Sequence, residues 1–170
     1  MFIFTTMTVT RKFIGYITFI ISFFAIINSV SAQKTHPADL ICGKWMIVQR
    51  NLTVEIYRDG KEYRSKIIWF NDSDDKSRPM ETRLDTDNPD PKLRTQKVMG
   101  SNVLRNLVYI PKSNSWEHGI IYDAQHGHYW DSAACINPDG ELKVTGYWHF
   151  KFIGKTLTFI RTTTVVPPPK

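Results

Sequence analysis

The chain has 170 residues, of which 42% are hydrophobic and 22% charged, and its formal net charge is +6. This length and apolar content are typical of one globular domain, and they exclude a two-domain enzyme, a disordered chain and a collagen-like chain. The basic residues are spread along the chain and form no block of the kind that follows phosphates. We therefore expect no nucleic acid partner.

The N-terminal segment has the pattern of a secretory signal peptide. The basic pair Arg11-Lys12 precedes an apolar run over residues 13–27, and the small-residue sequence Val30-Ser31-Ala32 follows it. The alternative is an uncleaved membrane anchor, but the run is shorter than the roughly 20 residues that a spanning helix needs. We expect residues 1–32 to be a signal peptide and residues 33–170 to be a single periplasmic or extracellular domain. No stable membrane span is expected after cleavage.

Both cysteines, Cys42 and Cys135, lie in the expected mature part of the chain. An exported protein meets oxidising conditions, so one disulfide between them is a possible cross-link. The alternative is two separate buried thiols, and the sequence leaves both open.

Eight segments of the mature chain show the pattern of β-strands, because they are rich in β-branched and aromatic residues and alternate with turn residues. Turn sequences such as Asp59-Gly60 and Pro138-Asp139-Gly140 contain a glycine that can adopt positive φ, which is typical of hairpins. Consecutive strands are therefore predicted to pair antiparallel. The predicted strands cover residues 42–50, 53–58, 61–70, 103–110, 115–123, 128–136, 141–150 and 155–163.

The third connection, from Asn71 to about Asn102, is the long one. Within it, Asp90-Pro91 has the pattern of a helix N-cap followed by proline, which predicts a short helix. Eight consecutive hairpin-linked strands favour closure into a barrel, which removes exposed sheet edges. An immunoglobulin-like sandwich is the alternative, but it would need Greek-key crossovers. The predicted fold is all-β, an eight-stranded antiparallel up-and-down barrel with one short helix in the long third connection.

The alternation of side chains along each strand predicts the inner wall of this barrel, because the uncharged side of a strand should face inward. A barrel of eight strands either fills with its own side chains or encloses one small ligand. Several inward positions are large aromatic or imidazole side chains with a polar group, a mixture typical of an amphipathic pocket. The candidate ligand-binding residues are Tyr63, Trp69, His118, Tyr122 and Trp148.

Two sets of residues resemble known families. Gly43-Lys44-Trp45 in the first strand and Arg161 in the last resemble the signature of lipocalins and fatty-acid-binding proteins, in which the tryptophan closes one barrel end and the arginine lies across it. A longer series resembles an exported bacterial family, domain of unknown function 2147, over nearly the whole mature chain. This series is Asn88-Pro89-Asp90-Pro91-x-Leu93-Arg94, Gly100, Leu104, Trp116, Gly119, Ile121-Tyr122-Asp123, Gly127, Tyr129, Asp139-Gly140, Leu142, Val144, Gly146-Tyr147, Gly154, Thr156 and Arg161.

The resemblance implies a lipocalin-like barrel in the periplasm or outside the cell, with a role in binding small molecules. It implies a structural role for Trp45 and Arg161. Leu93 and Arg94 either cover one barrel mouth or belong to a surface helix packed by Leu93 alone, and the full mouth-covering motif is Asn88, Asp90, Pro91, Leu93 and Arg94. The chain departs from the family pattern at Gln96, Ala124, Thr145, His149 and Phe159.

Metal and cofactor chemistry is not expected from this sequence. The acidic residues Asp85, Asp87 and Asp90 lack the 12-residue calcium loop and fit turn-forming and capping roles better. Alternation separates the histidines, so they should not converge on one metal. The sequence contains no nucleophile elbow, phosphate loop or paired-cysteine motif.

The preferred functional hypothesis is a non-catalytic carrier or sensor of a small hydrophobic or amphipathic molecule. One alternative is a hydrolase-like enzyme at the barrel mouth, with His118 or His128 as general base. A carboxylate such as Asp123 or Asp131 would then orient the base. The other alternative is a structural envelope module with a filled core. An enclosed cavity favours the first hypothesis, and an imidazole within hydrogen-bond reach of a carboxylate beside a pocket favours the second.

Overall fold

The structure is a computed structural model that describes residues 36–166, so the predicted signal peptide over residues 1–32 lies outside the described residues. The described chain begins with a 3-10 turn at Pro37–Ile41, and eight strands follow it. These are β1 (Gly43–Ile47), β2 (Leu52–Asp59), β3 (Glu62–Phe70), β4 (Asn102–Ile110), β5 (Ser115–Asp123), β6 (His128–Ile136), β7 (Leu142–Tyr147) and β8 (Gly154–Arg161).

The eight strands form one closed barrel in which each strand pairs with its neighbour in sequence. All pairs are antiparallel, and β8 pairs back with β1, where Trp45 lies opposite Arg161. Short connections keep most sequential strands adjacent, β3 and β4 pair across the long connection of residues 71–101, and closure leaves no unpaired sheet edge. The predicted up-and-down barrel is confirmed, and the sandwich is excluded.

Two strands end earlier than the residue pattern predicts. β1 ends at Ile47 rather than Arg50, and β7 ends at Tyr147 rather than Phe150. In both cases a residue with left-handed backbone follows, since φ is 58° at Arg50 and 64° at His149. Such a backbone departs from the extended conformation of a strand, and at these two places it belongs to the turn that follows the strand.

The helix predicted from Asp90-Pro91 is wrong. Asp90 does accept a hydrogen bond from the backbone N–H of Lys92 at 3.0 Å, as a cap would. The following bonds, from Arg94 to the Pro91 carbonyl and from Gln96 to the Leu93 carbonyl, each span only three residues. The segment is therefore a series of turns rather than a helix.

Aromatic side chains fill one end of the barrel, beside the 3-10 turn. Trp45 is 0% exposed and Trp116 is 1% exposed. Their indole N–H groups donate hydrogen bonds to carbonyl oxygens of the 3-10 turn, Trp45 to Ile41 at 2.8 Å and Trp116 to Ala38 at 3.0 Å. Because these bonds satisfy both buried donors, the turn is held across this end, which we call the closed end.

Arg161 lies over the outer side of the same closed end. Its guanidinium carbon is 4.2 Å from the centre of the Trp45 ring. The guanidinium donates to the carbonyl oxygen of Cys42 at 2.8 Å and to that of Leu40. The last strand, the first strand and the 3-10 turn are thus joined by one side chain.

The two cysteines are free thiols, so the possible disulfide between Cys42 and Cys135 is not formed. Cys42 precedes β1 and is half-buried, whereas Cys135 is exposed on β6, which is not a neighbour of β1 in the barrel. Burial, with a smaller contribution from the Asp39 carboxylate, raises the pKa of the Cys42 thiol.

Candidate functional site

The barrel contains a cavity of about 1120 Å³. This volume slightly exceeds the usual range for small-molecule sites, about 300–1,000 Å³. The cavity extends to the end of the barrel opposite Trp45, where the β1–β2, β3–β4, β5–β6 and β7–β8 connections contribute to its rim. We call this end the mouth. The inner wall is mainly aliphatic and includes Val54, Ile56, Ile67, Leu104, Val144 and Leu157.

Alternation correctly predicts the wall that β7 contributes. Leu142 and Val144 are buried and line the cavity with Gly146, while Lys143 and Thr145 between them lie on the other face. On β8, Leu157 and Phe159 continue this wall. Most of the wall side chains are hydrocarbon, and Ser65, which is 2% exposed, contributes a hydroxyl group deep in the wall. The interior is therefore a mainly apolar chamber with little capacity for hydrogen bonding.

His118 does not face the cavity, because a bulge interrupts β5. The pairing of β5 with β6 shifts between Trp116, opposite Ala134, and Gly119, opposite Ser132. His118 has φ of 63° and is exposed. One extra residue in a strand reverses the alternation beyond it, so Gly119 takes the inward position that was predicted for His118.

A second bulge moves Trp69 off the wall. The register between β2 and β3 places Val54 opposite Ile67 but Thr53 opposite Trp69, so Ile68 is the extra residue. Ile67 and Phe70 line the cavity, while Trp69 stands beside Thr53 on the other face. Phe70 thus occupies the wall position that alternation assigns to Trp69.

Tyr63 faces the inside of the barrel but belongs to the closed end. Its hydroxyl donates a hydrogen bond to the Asp39 carboxylate at 2.7 Å, and its ring meets Trp116 edge-on at 6.4 Å. Burial and the Asp39 carboxylate raise the pKa of Tyr63 well above its ordinary value. Its surroundings are those of a packing residue, and it does not border the cavity.

Tyr122 borders the mouth, where it anchors the long connection. Its hydroxyl donates to one oxygen of Asp85 at 2.7 Å, and the Asn88 amide donates to the other at 2.6 Å. Asp85 and Asn88 are 4% and 2% exposed. Burial and the Asp85 carboxylate raise the pKa of Tyr122. The sequence interpretation of Asp85 as a turn residue missed this anchor, since nothing local in the sequence links it to a strand 37 residues away.

The predicted mouth-covering motif does not border the cavity. Asp90, Pro91 and Arg94 are exposed, Leu93 is half-exposed, and Asn88 is buried beside Asp85. Arg94 donates a hydrogen bond to the Asn88 carbonyl at 2.7 Å, so its side chain contacts the motif itself rather than the barrel opening. Other residues of the same connection form the rim, namely Arg78, Arg83, Leu84, Thr86, Asp87 and Val98.

Trp148 lies at the mouth rather than on the inner wall. Because β7 ends at Tyr147, Trp148 belongs to the β7–β8 connection, and it is 60% exposed. Its ring packs edge-on against Trp130 at 5.7 Å, and it borders the cavity opening. Of the five predicted ligand-binding residues, the structure brings Tyr122 and Trp148 to the cavity and places Tyr63, Trp69 and His118 elsewhere.

The sequence that forms the eight strands matches a bacterial family. Residues 43–161 match the family model described as uncharacterized protein conserved in bacteria (DUF2147). The chain belongs to the DUF2147 family. No curated protein sequence matches it significantly.

A solved structure shares the fold of this DUF2147 chain. It is a protein from the human pathogen Helicobacter pylori that is described as belonging to the lipocalin family. The two chains are 23% identical, the match covers 72% of this chain and 82% of that chain, and the TM-score is 0.60. At this identity the likeness shows a lipocalin-like fold alone.

The mouth of the DUF2147 barrel is charged, in contrast to its interior. Arg83 pairs with Asp74 at 2.9 Å on the long connection. Lys155 shares the alternation of Leu157 on β8 and therefore reaches the opening, which it helps to line. An apolar chamber below a charged rim suits a molecule that has an apolar body and a polar end.

Residues 36–166 contain neither a metal-ligand cluster nor a membrane-spanning helix. Within residues 36–166, no group of three or more His, Cys, Asp or Glu side chains is arranged to hold a metal ion. In the same range, no helix has the length and apolar character needed to cross a membrane.

Proposed function

We propose that this DUF2147 protein is an exported, non-catalytic binding protein for a small hydrophobic or amphipathic molecule. The observation that carries the proposal is the aliphatic cavity of about 1120 Å³, which reaches solvent at a charged rim. A filled core, as a purely structural module would have, leaves no such space.

The energetics favour a ligand with an alkyl or aromatic body. Burial of about ten methylene groups contributes about 8 kcal/mol, which by itself corresponds to a micromolar complex. Part of this is offset by the translational and rotational freedom that the ligand loses. We therefore expect micromolar or weaker binding, with the alkyl part inside and the polar end near Lys155 and Arg83.

A cavity-filling variant tests the proposal. Leu157→Trp places a larger side chain in the chamber, and we expect it to weaken binding of dansyl-undecanoic acid at least about tenfold. Thr156→Trp is the matched control, because Thr156 is exposed on the neighbouring position of the same strand. The measurement is a fluorescence titration, with circular dichroism to verify that both variants fold.

Two results would oppose the binding proposal. The wild-type protein could show no saturable binding of the probe, or both tryptophan variants could bind it as well as the wild type. In the second case the probe would lie outside the chamber.

The hydrolase alternative requires an imidazole beside a carboxylate at the cavity, and the described residues contain one such pair, formed by His126 rather than by His118 or His128. His126 Nδ1 lies 2.8 Å from Asp123 Oδ2 beside the cavity, whereas no such contact involves His118 or His128 in the described range. The Asp123 carboxylate also accepts a hydrogen bond from the Gln125 backbone at 3.0 Å. These bonds close the β5–β6 turn, and the imidazole is 67% exposed. Turn formation accounts for the pair, so the pair by itself carries no argument for a hydrolase.

The proposed location outside the cytoplasm is supported by the signal-peptide pattern of residues 1–32. N-terminal sequencing of the protein recovered from the periplasm or the medium should begin at Gln33. Recovery of the full chain in the cytoplasm alone would contradict export.

A further inference from the structure

The β7–β8 connection exposes a concentrated group of large apolar side chains. Trp148, Phe150 and Ile153 are each more than half exposed, and Phe152 is 84% exposed. Within residues 36–166, ten large hydrophobic side chains are exposed, and four of them lie in this six-residue segment. Single exposed apolar residues are ordinary, but a local concentration marks a contact surface. We call residues 148–153 the mouth loop.

The mouth loop lies at the cavity opening. Trp148 and Ile153 border the cavity. Phe150 and Phe152 stack on each other with ring centres 5.4 Å apart and an interplanar angle of 21°. Lys151, between them, forms an ion pair with Glu117 of β5. The barrel wall therefore holds the lysine, while the two phenylalanines remain in solvent.

The charges in and beside the loop are positive. Residues 148–155 include Lys151 and Lys155 but no acidic residue. Of the ion pairs formed by residues 36–166, none involves Lys155. Of the three acidic residues that line the cavity, Asp74 pairs with Arg83 and Asp123 contacts the His126 ring, whereas Asp87 takes part in none of the ion pairs of residues 36–166. An anionic surface would thus meet an unpaired lysine beside the aromatic group.

We propose that the mouth loop docks on the surface of an anionic lipid bilayer, with the barrel opening directed toward the membrane. Aromatic side chains insert at the boundary between headgroups and acyl chains, and lysines bind anionic headgroups at the same depth. Protein interfaces are also enriched in aromatic residues, but they are depleted in lysine, so the two lysines beside the aromatic group favour the bilayer over a protein partner. The docking does not depend on occupancy of the cavity.

Vesicle binding tests this proposal. The mature protein should sediment with vesicles of phosphatidylglycerol and phosphatidylcholine, and less with phosphatidylcholine vesicles. The double variant Phe150→Ser/Phe152→Ser should bind the anionic vesicles at least about tenfold more weakly, because both inserting rings are lost. The matched control is Val108→Ser, which removes an exposed apolar side chain from β4 and should bind as the wild type does.

A fluorescence measurement checks the orientation. Lipids brominated on their acyl chains should quench part of the tryptophan emission of the wild type, and this part should be absent in Trp148→Phe. Undiminished vesicle binding of the double serine variant would overturn the proposal. A concentration-dependent dimer without vesicles, abolished by the same variant, would also overturn it and assign the loop to a second copy of the chain.

The cavity-binding proposal and the membrane-docking proposal can be tested independently of each other. Leu157→Trp, which fills the cavity, should retain vesicle binding, and Phe150→Ser/Phe152→Ser should retain saturable binding of dansyl-undecanoic acid. Loss of both activities in either variant would contradict the independence of loop and cavity.

Discussion

Replacing Trp45 with alanine should lower the free energy of unfolding by about 3–5 kcal/mol, the range for truncating a large buried aromatic side chain. Trp45 is 0% exposed, and its indole N–H satisfies the Ile41 carbonyl. The substitution also removes the ring that faces Arg161, a contact of about 0.5–2 kcal/mol. Urea unfolding followed by circular dichroism measures the change.

The matched control is Trp148→Ala, because the same substitution removes a tryptophan that is 60% exposed. We expect a loss below about 1 kcal/mol there. Trp45→Phe, which keeps an aromatic ring but loses the N–H donor, should fall between the two and remains measurable if Trp45→Ala does not fold. If Trp45→Ala and Trp148→Ala lowered the free energy of unfolding equally, the proposed role of Trp45 in packing the closed end would be contradicted.

Gly127→Ala should have the second-largest effect, about 2–5 kcal/mol. The residue has φ of 65°, where a side chain costs about 1–2 kcal/mol. A Cβ atom there would lie 1.9 Å from the Asp87 carbonyl oxygen, so the β5–β6 turn or the long connection must move. Overpacking of this kind adds about 1–3 kcal/mol. Urea unfolding measures the loss, and hydrogen exchange should be faster over residues 71–101.

Gly60→Ala separates the two causes. Gly60 has φ of 63°, but no atom lies within 4 Å of the position of its added Cβ. It should therefore lose only the backbone part, about 1–2 kcal/mol. If Gly127→Ala cost no more than Gly60→Ala, the close approach of the β5–β6 turn to the long connection would be refuted.

Most of the barrel could be predicted from sequence, because most of its strand pairs have local causes; the β3–β4 pair and the β8–β1 closure are the exceptions. Turn glycines, short hairpins and runs of β-branched and aromatic residues act over fewer than ten residues, and they determine the other pairs. The inner wall of β7 follows from the same kind of local alternation, as Leu142 and Val144 show.

The candidate site was predicted less well, because small irregularities have large effects on alternation. A bulge at His118 and another at Ile68 each insert one residue, and each exchanges the inner and outer faces beyond it. Glycine in a strand often indicates a bulge, whereas histidine and isoleucine do not. Trp148 was misplaced for a different reason, since the left-handed backbone at His149 ends β7 early.

The remaining features depend on contacts between distant parts of the chain. The Tyr122–Asp85 hydrogen bond joins β5 to the long connection, and the Arg161 contact with Trp45 joins the two ends of the barrel sequence. Whether the interior is filled or hollow is likewise a sum over all inward side chains and their packing. The sequence pattern of a single strand therefore does not predict whether the barrel is hollow.

The central claim is that the chamber of the barrel binds an apolar molecule, and paramagnetic NMR tests it most directly. A fatty acid carrying a spin label on its alkyl chain would be titrated into methyl-labelled protein. We predict saturable broadening that is stronger for the Ile67, Val144 and Leu157 methyl signals than for those of the exposed residues Val108 and Ile160. Broadening of the Val108 and Ile160 signals, with the three cavity residues unchanged, would contradict the claim.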